Sequence, residues 1–384
     1  MRVLLLSLTL PLLVIVCFPS PDPSVRFSET TIRVGKGPIW ISVVDVNHDG
    51  NPDLLVANGD AGTVTVLLDN GRGQFHEPSG SPFAAGHLPN DIAVADMNGD
   101  GNPDLVIANH QSPFITILLG DGQGRFHPAP GSPVDVHSHP HPHGVAAADF
   151  NGDGRIDVVT DSWGTNQIEL LLGDGKGGLQ TPGKFFATGH RPYERLRSAD
   201  FNGDGIPDIV TTNLDDGTAS ILLGDGRGGF RTAPGSPFPA GAKPWQVAID
   251  DVDGDGKPDL LIIPYERDIA DPSQNALTIL RGDGRGGFKP LADAPLPLEG
   301  CHGPNSVTAG DLNGNGLQDV VVSCAQSRNL LVFTPDSKGH FRASSEPKKG
   351  GWGTVTSAHL HGGRRADLIT ANEDDGTITI LSPN

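Results

Sequence analysis

The chain is 384 residues long, more than one ordinary globular core needs, and its 52 Gly and 33 Pro punctuate it too often for long helices. A formal charge of −19, with 27 Lys plus Arg and no basic run, excludes the electrostatic footprint of a nucleic-acid binder. No long window carries a 3.6-residue apolar rhythm, so the chain reads as all-β.

Met1 and Arg2 lead into an apolar run, Val3 to Phe18, that is short for a bilayer span and has the form of a secretory signal. Residues 1–20 are expected to be that signal. Residues 21–384 are then one mature body without a transmembrane segment, secreted or held at the cell surface, in an extracellular or periplasmic space. Cys17 offers lipoprotein anchoring as the lesser alternative, because Val16 is bulkier than the small residue a lipidation signal favours.

From there a single unit repeats. Around its second copy, an apolar run (Ile92 to Ala95) precedes an acidic loop, a second run (Leu105 to Ala108) follows it, and a third spans Ile115 to Leu119. A Gly-Asp-Gly turn then opens a Phe-containing strand that ends near Gly-Ser-Pro. Four short antiparallel strands per unit are expected. Gly120 to Gly124 and Gly224 to Gly228 join strands rather than opening helices, so they are hairpin turns and not phosphate cradles.

The acidic loops share a nine-residue frame with oxygen side chains at positions 1, 3, 5 and 9 and Gly at 6. In chain order they are Asp45-Asn47-Asp49-Asp53, Asp96-Asn98-Asp100-Asp104, Asp149-Asn151-Asp153-Asp157, Asp200-Asn202-Asp204-Asp208 and Asp251-Asp253-Asp255-Asp259. A sixth, Asp311-Asn313-Asn315-Asp319, is weakened by Asn at position 5, and a seventh around His359 to Gly363 keeps only Asp367. Such a set suits a hard cation that takes six or more oxygens, so five Ca²⁺ sites and a weaker sixth are expected. Closed loops leave no open ligand position, so the metals are read as structural rather than catalytic.

The frames start 51, 53, 51, 51 and 60 residues apart, which makes the unit a structural repeat. Seven repeats of four strands imply a seven-bladed β-propeller. The first strands are rich in small residues, as crowding at a common axis requires. The chain begins (Arg26 to Gly35) with what resembles a fourth strand and ends (Thr377 to Leu381) on a third, so the N-terminal strand should complete the last blade. Asp-x-Asn-x-Asp-Gly-x-x-Asp between apolar strands, followed by Gly-Asp-Gly-x-Gly-x-Phe, resembles the FG-GAP/VCBS repeat family. The resemblance covers nearly all of residues 26–384 and implies a propeller with calcium loops on one face, like the integrin α-subunit head and some secreted sugar-binding propellers.

In that scheme Cys301 lies just before the first strand of blade 6 and Cys324 just after its second, ends that antiparallel pairing brings together, so a disulfide is expected. The His137-His143 run has two readings: an extended chain would put its four imidazoles on one side for a transition metal, whereas polyproline geometry would scatter them as a solvated loop. All six Trp and Tyr fall in loops opposite the acidic frames: Trp40, Tyr193, Trp245 and Trp352 before first strands, Trp163 and Tyr265 after second strands. With His190, Arg195 and His302 they form a candidate ligand face, against the plainer reading that large side chains plug the central channel. The function expected is binding of carbohydrate or of an extracellular protein by a monomer. The alternative is a polysaccharide lyase or hydrolase using His143, His190, Tyr193, Arg195 or His302 as acid/base and anion-binding groups, with none of them assigned as the catalytic residue.

Overall fold

A computed structural model describes residues 25–137, 141–162, 164–192, 195–269, 271–347 and 351–384. Their strands form seven antiparallel sheets arranged as a seven-bladed propeller. Blade 1 runs Pro38–Val44, Asp53–Asn58, Thr63–Asp69 and Phe75–His76, and five blades repeat that order up to Phe341–Pro347. The last has three strands of its own, Val355–Ala358, Asp367–Asn372 and Thr377–Pro383. Its fourth is the N-terminal strand Phe27–Arg33, paired from Phe27 with Pro383 to Arg33 with Thr377. Ring closure therefore covers an edge that would otherwise be open for pairing. Residues 1–20 and Cys17 lie outside the described residues, and among those described no helix is long and apolar enough to cross a membrane.

Second strands such as Asp53–Asn58 and Asp208–Asn213 are buried at every position, which explains their unbroken apolar runs. The core lies between blades. Leu55 and Val66 of blade 1 meet Ile92 and Ile107 of blade 2, and Ile41 and Val56 meet Ile369 and Ile380 of blade 7. First strands adjoin their neighbours around the axis, and small residues permit the approach: a Cβ on Gly310 would sit 3.0 Å from those of Ala366 and Ser357.

The outer strand departs from the sequence expectation. In blades 1, 2 and 4 it does not end at Gly-Ser-Pro, nor in blade 5 at Asp293-Ala294-Pro295, but breaks there and rejoins the third strand, as Phe75–His76 and Phe83–Ala84 both do on Thr63–Asp69. The serine fills the gap in the ladder. Ser81, Ser132 and Ser236 accept the amides of Val66 (3.1 Å), Ile117 (2.9 Å) and Ile221 (2.9 Å), donors that would otherwise be stranded beside the break.

A second feature without a sequence expectation is an Asn closing four of the second strands. Asn213 is buried; its Nδ2 donates to Thr218 Oγ1 and Ser220 Oγ, each at 2.9 Å, and its Oδ1 accepts from Gly189 N at 3.0 Å. Asn58 and Asn372 do the same with Thr63 and Thr65 and with Thr377 and Thr379. Removing the amide strands buried partners, so Asn213→Ala should cost about 1 to 3 kcal/mol. Urea unfolding of the variant checks this, and a change below about 0.5 kcal/mol would deny the amide its role.

Blade 6 carries the disulfide: Cys301 and Cys324 are bonded, both fully buried, with Cα atoms 5.2 Å apart. Pro304, at the start of the first strand, is the register partner of Cys324, which brings the two ends into reach.

Candidate functional site

Two ends of the propeller carry chemistry. At one, each acidic frame joins a first to a second strand. In the fourth, Asp200 Oδ1 accepts the amides of Gly203 (2.7 Å) and Asp204 (3.2 Å), and Oδ2 that of Gly205 (2.7 Å). Gly205 has φ +81°, a turn that favours glycine. The amides wrap the first carboxylate and draw the oxygens of positions 1, 3 and 5 together. In the fifth loop, where all three are Asp, one oxygen from each of Asp251, Asp253 and Asp255 lies within 4.8 Å of the others. An all-oxygen set of this kind fits a hard divalent cation.

The ninth residue has another task. Asp208, fully buried, accepts Phe201 N with one oxygen (2.9 Å) and Gly224 N with the other (2.8 Å), tying loop to third strand. Asp53 and Asp104 repeat this. That role outlives the loop, because in blade 7 Asp367 still accepts Leu360 N at 3.0 Å while His361 takes its carboxylate at 3.0 Å. Burial pushes Asp53, Asp104, Asp208 and Asp259 up to about 6, against the pull of these amides. A cation beside them would favour the ionised form.

In the sixth loop Asp311 keeps the amide pattern with Gly314, Asn315 and Gly316. Asn313 Nδ2, however, turns to Asp319 at 3.3 Å, whereas Asn47, Asn98 and Asn151 donate to the Asp at position 5. With Asn315 at that position, the loop has lost one negative ligand and kept its shape.

The other end is the mouth of the ring. Four first strands begin with Pro and a β-bulge: register slips between Pro38 and Trp40, Pro89 and Asp91, Pro244 and Gln246, and Pro304 and Ser306. The slipped residues are Ile39, Asn90, Trp245 and Asn305, since a bulge re-aims the residue it inserts. Leu88 and Lys243, just before two of these prolines, sit at φ 56° and 46°, where the other two blades use Gly37 and Gly303.

Polar side chains cross between blades here. Asn90 Nδ2 donates to the His143 carbonyl (2.9 Å) and Asn305 Nδ2 to that of Gly353 (2.7 Å). The Gln246 amide, oriented by its neighbours, donates to the Asn305 carbonyl (3.0 Å) and accepts from Arg195 Nη1 (3.3 Å). Arg195 and Arg197 lie over Trp40, 4.4 and 4.9 Å from the ring centre, and Arg197 donates to buried Asp91 at 3.0 Å.

Of the candidate ligand residues, the mouth gathers Trp245, Tyr265 and Trp352. Trp245 stacks on Tyr265 with ring centres 4.0 Å apart and lies 6.5 Å from Trp352, over which Arg267 sits at 5.1 Å. All three rings are half-buried. Tyr265 and Arg267 arrive on the long blade 5 excursion, which contains the short helices Glu266–Asp268 and Pro272–Gln274. Trp40 lies under its two arginines, and Arg195 is buried rather than presented to solvent. His190 and His302 are exposed and paired with Asp216 (2.8 Å) and Glu266 (3.1 Å). Trp163 and Tyr193 lie outside the described residues.

Residues 45–107, 96–160, 200–262 and 267–322 match the model of the FG-GAP-like repeat. The chain is 28% identical to the phosphatidylinositol-glycan-specific phospholipase D of Rattus norvegicus over 37% of its own length and 20% of the relative's. It is 25% identical to the T-cell immunomodulatory protein of Homo sapiens over 39% of its length and 25% of that protein's. The matches thus span a quarter or less of these relatives. In fold it is similar to an Agrocybe aegerita lectin that recognises non-reducing terminal N-acetylglucosamine, with a TM-score of 0.55, 17% identity, and 88% of this chain and 86% of the lectin covered. With repeats matched over more than half its length and the propeller they build, the chain belongs to the FG-GAP-like repeat family.

Proposed function

We propose that the protein is an exported, calcium-stabilised binding module whose mouth, opposite the acidic loops, takes a carbohydrate. The observation that carries this reading is the cluster of Trp245, Tyr265 and Trp352, brought from blades 5 and 7 to one half-buried patch with Arg267 above it. Flat rings with hydrogen-bonding edges match the alternating apolar faces and hydroxyls of a sugar. Calcium, when bound to positions 1, 3 and 5 of the frames with the ninth carboxylate behind them, supplies charge neutralisation and cross-linking of each loop.

A glycan panel that includes terminal N-acetylglucosamine tests the reading. Trp245→Ala and Trp352→Ala should each weaken binding of a glycan hit by about 1 to 3 kcal/mol, with the melting temperature in calcium unchanged. Full affinity in both variants, or binding of proteins but of no glycan, would overturn it. His302, paired with Glu266 of the excursion that carries Tyr265, favours a lyase or hydrolase as the second reading. Incubating each hit and looking for product distinguishes the two.

A further inference from the structure

His110 follows the second strand of blade 2, Asp104–Asn109, while His141 and His143 precede the first strand of blade 3, Val145–Ala148. The blade interface brings the three rings together. His110 lies 4.2 Å from His141 and 4.7 Å from His143 between ring centres, and His141 lies 4.8 Å from His143. One nitrogen from each falls within 4.8 Å of the other two. Three imidazoles on a zinc ion have nitrogens about 3.4 Å apart, since Zn–N bonds are near 2.1 Å, so small ring rotations close the set.

We propose that His110, His141 and His143 form a site for a divalent transition metal of the zinc class, three protein nitrogens that leave a further position to water. The ligand chemistry separates it from the acidic loops: three neutral nitrogens suit zinc, cobalt or nickel and offer calcium nothing. The site is built rather than incidental. The backbone of His143, a fully buried residue, is pinned by Asp161 Oδ1, which accepts the amides of His143 (3.1 Å) and Gly144 (2.9 Å), and by Asn90, which donates to its carbonyl.

The His137-His143 run thus supplies two ligands rather than four. His137 stands beside Asp135 at 4.0 Å, and His139 lies outside the described residues.

The test is titration of the whole protein, stripped of metal and reloaded with excess calcium, with zinc chloride alone, and separately with cobalt chloride for its visible d–d bands. One zinc per chain held against calcium, and a tetrahedral or five-coordinate cobalt spectrum, are expected. His110→Ala and His141→Asn, each at a half-buried position, should weaken zinc binding at least tenfold and change the cobalt spectrum while circular dichroism stays the same. The second variant keeps the test valid should the first not fold. No stoichiometric zinc in the wild type, or equal zinc affinity in a folded variant, would overturn the proposal.

Discussion

Chelation of divalent cations is expected to lower the melting temperature by more than any single side-chain replacement described above. Five complete frames, and a sixth with one carboxylate fewer, concentrate negative charge in hairpins whose first carboxylate is already wrapped by amides. A ligand that binds only the folded chain stabilises it by about 2.7 kcal/mol per site at a hundredfold excess over Kd. Losing three such sites therefore removes about 8 kcal/mol, comparable with the entire stability of an ordinary domain. Thermal melts with calcium and after EDTA, with metal removal verified by elemental analysis, measure this. An unchanged midpoint would show that the loops hold their shape by the amide network alone.

Loss of the blade 6 disulfide is the next largest effect. Cys301 and Cys324 are 23 residues apart, so the bond removes loop-closure entropy worth about 3 kcal/mol from the unfolded chain. It also fastens the blade whose acidic loop has Asn315 in place of a carboxylate, the weakest of the six frames. The double variant Cys301→Ala, Cys324→Ala should lose about 2 to 5 kcal/mol in urea unfolding at saturating calcium. A loss below about 0.5 kcal/mol would mean that the strand pairing around Pro304 and Cys324 suffices without it.

The sequence makes the ring legible because each repeat states it again. Six apolar-acidic-apolar units and a degenerate seventh set the blades, and the mismatch between the Phe27 and Thr377 ends predicts the closing strand. What it hides is convergence. Trp245 and Trp352 are separated by a whole blade, and only the ring's closure brings their rings within 6.5 Å of each other. His110 is a lone histidine until blade 3 places His141 and His143 beside it.

Other features were present as signals with a different meaning. The Pro that opens four first strands marks the bulges that aim Asn90, Trp245 and Asn305 into the mouth. Gly-Ser-Pro marks a break that serine patches rather than a strand end. The ninth Asp of each frame reads as a ligand alone, yet its survival as Asp367 in the degenerate seventh loop points to its hold on the backbone.

If the mouth holds the ligand and the acidic loops are clips for the fold, a bound glycan acts on one end of the propeller and not on the other. Hydrogen–deuterium exchange of the calcium-loaded protein, with and without the best glycan from the panel, tests it most directly. New protection is expected at residues 243–246, 264–269 and 351–354, with the loops at 45–53 and 200–208 exchanging as before. Protection confined to those acidic loops, or none at the mouth under saturating glycan, would contradict it.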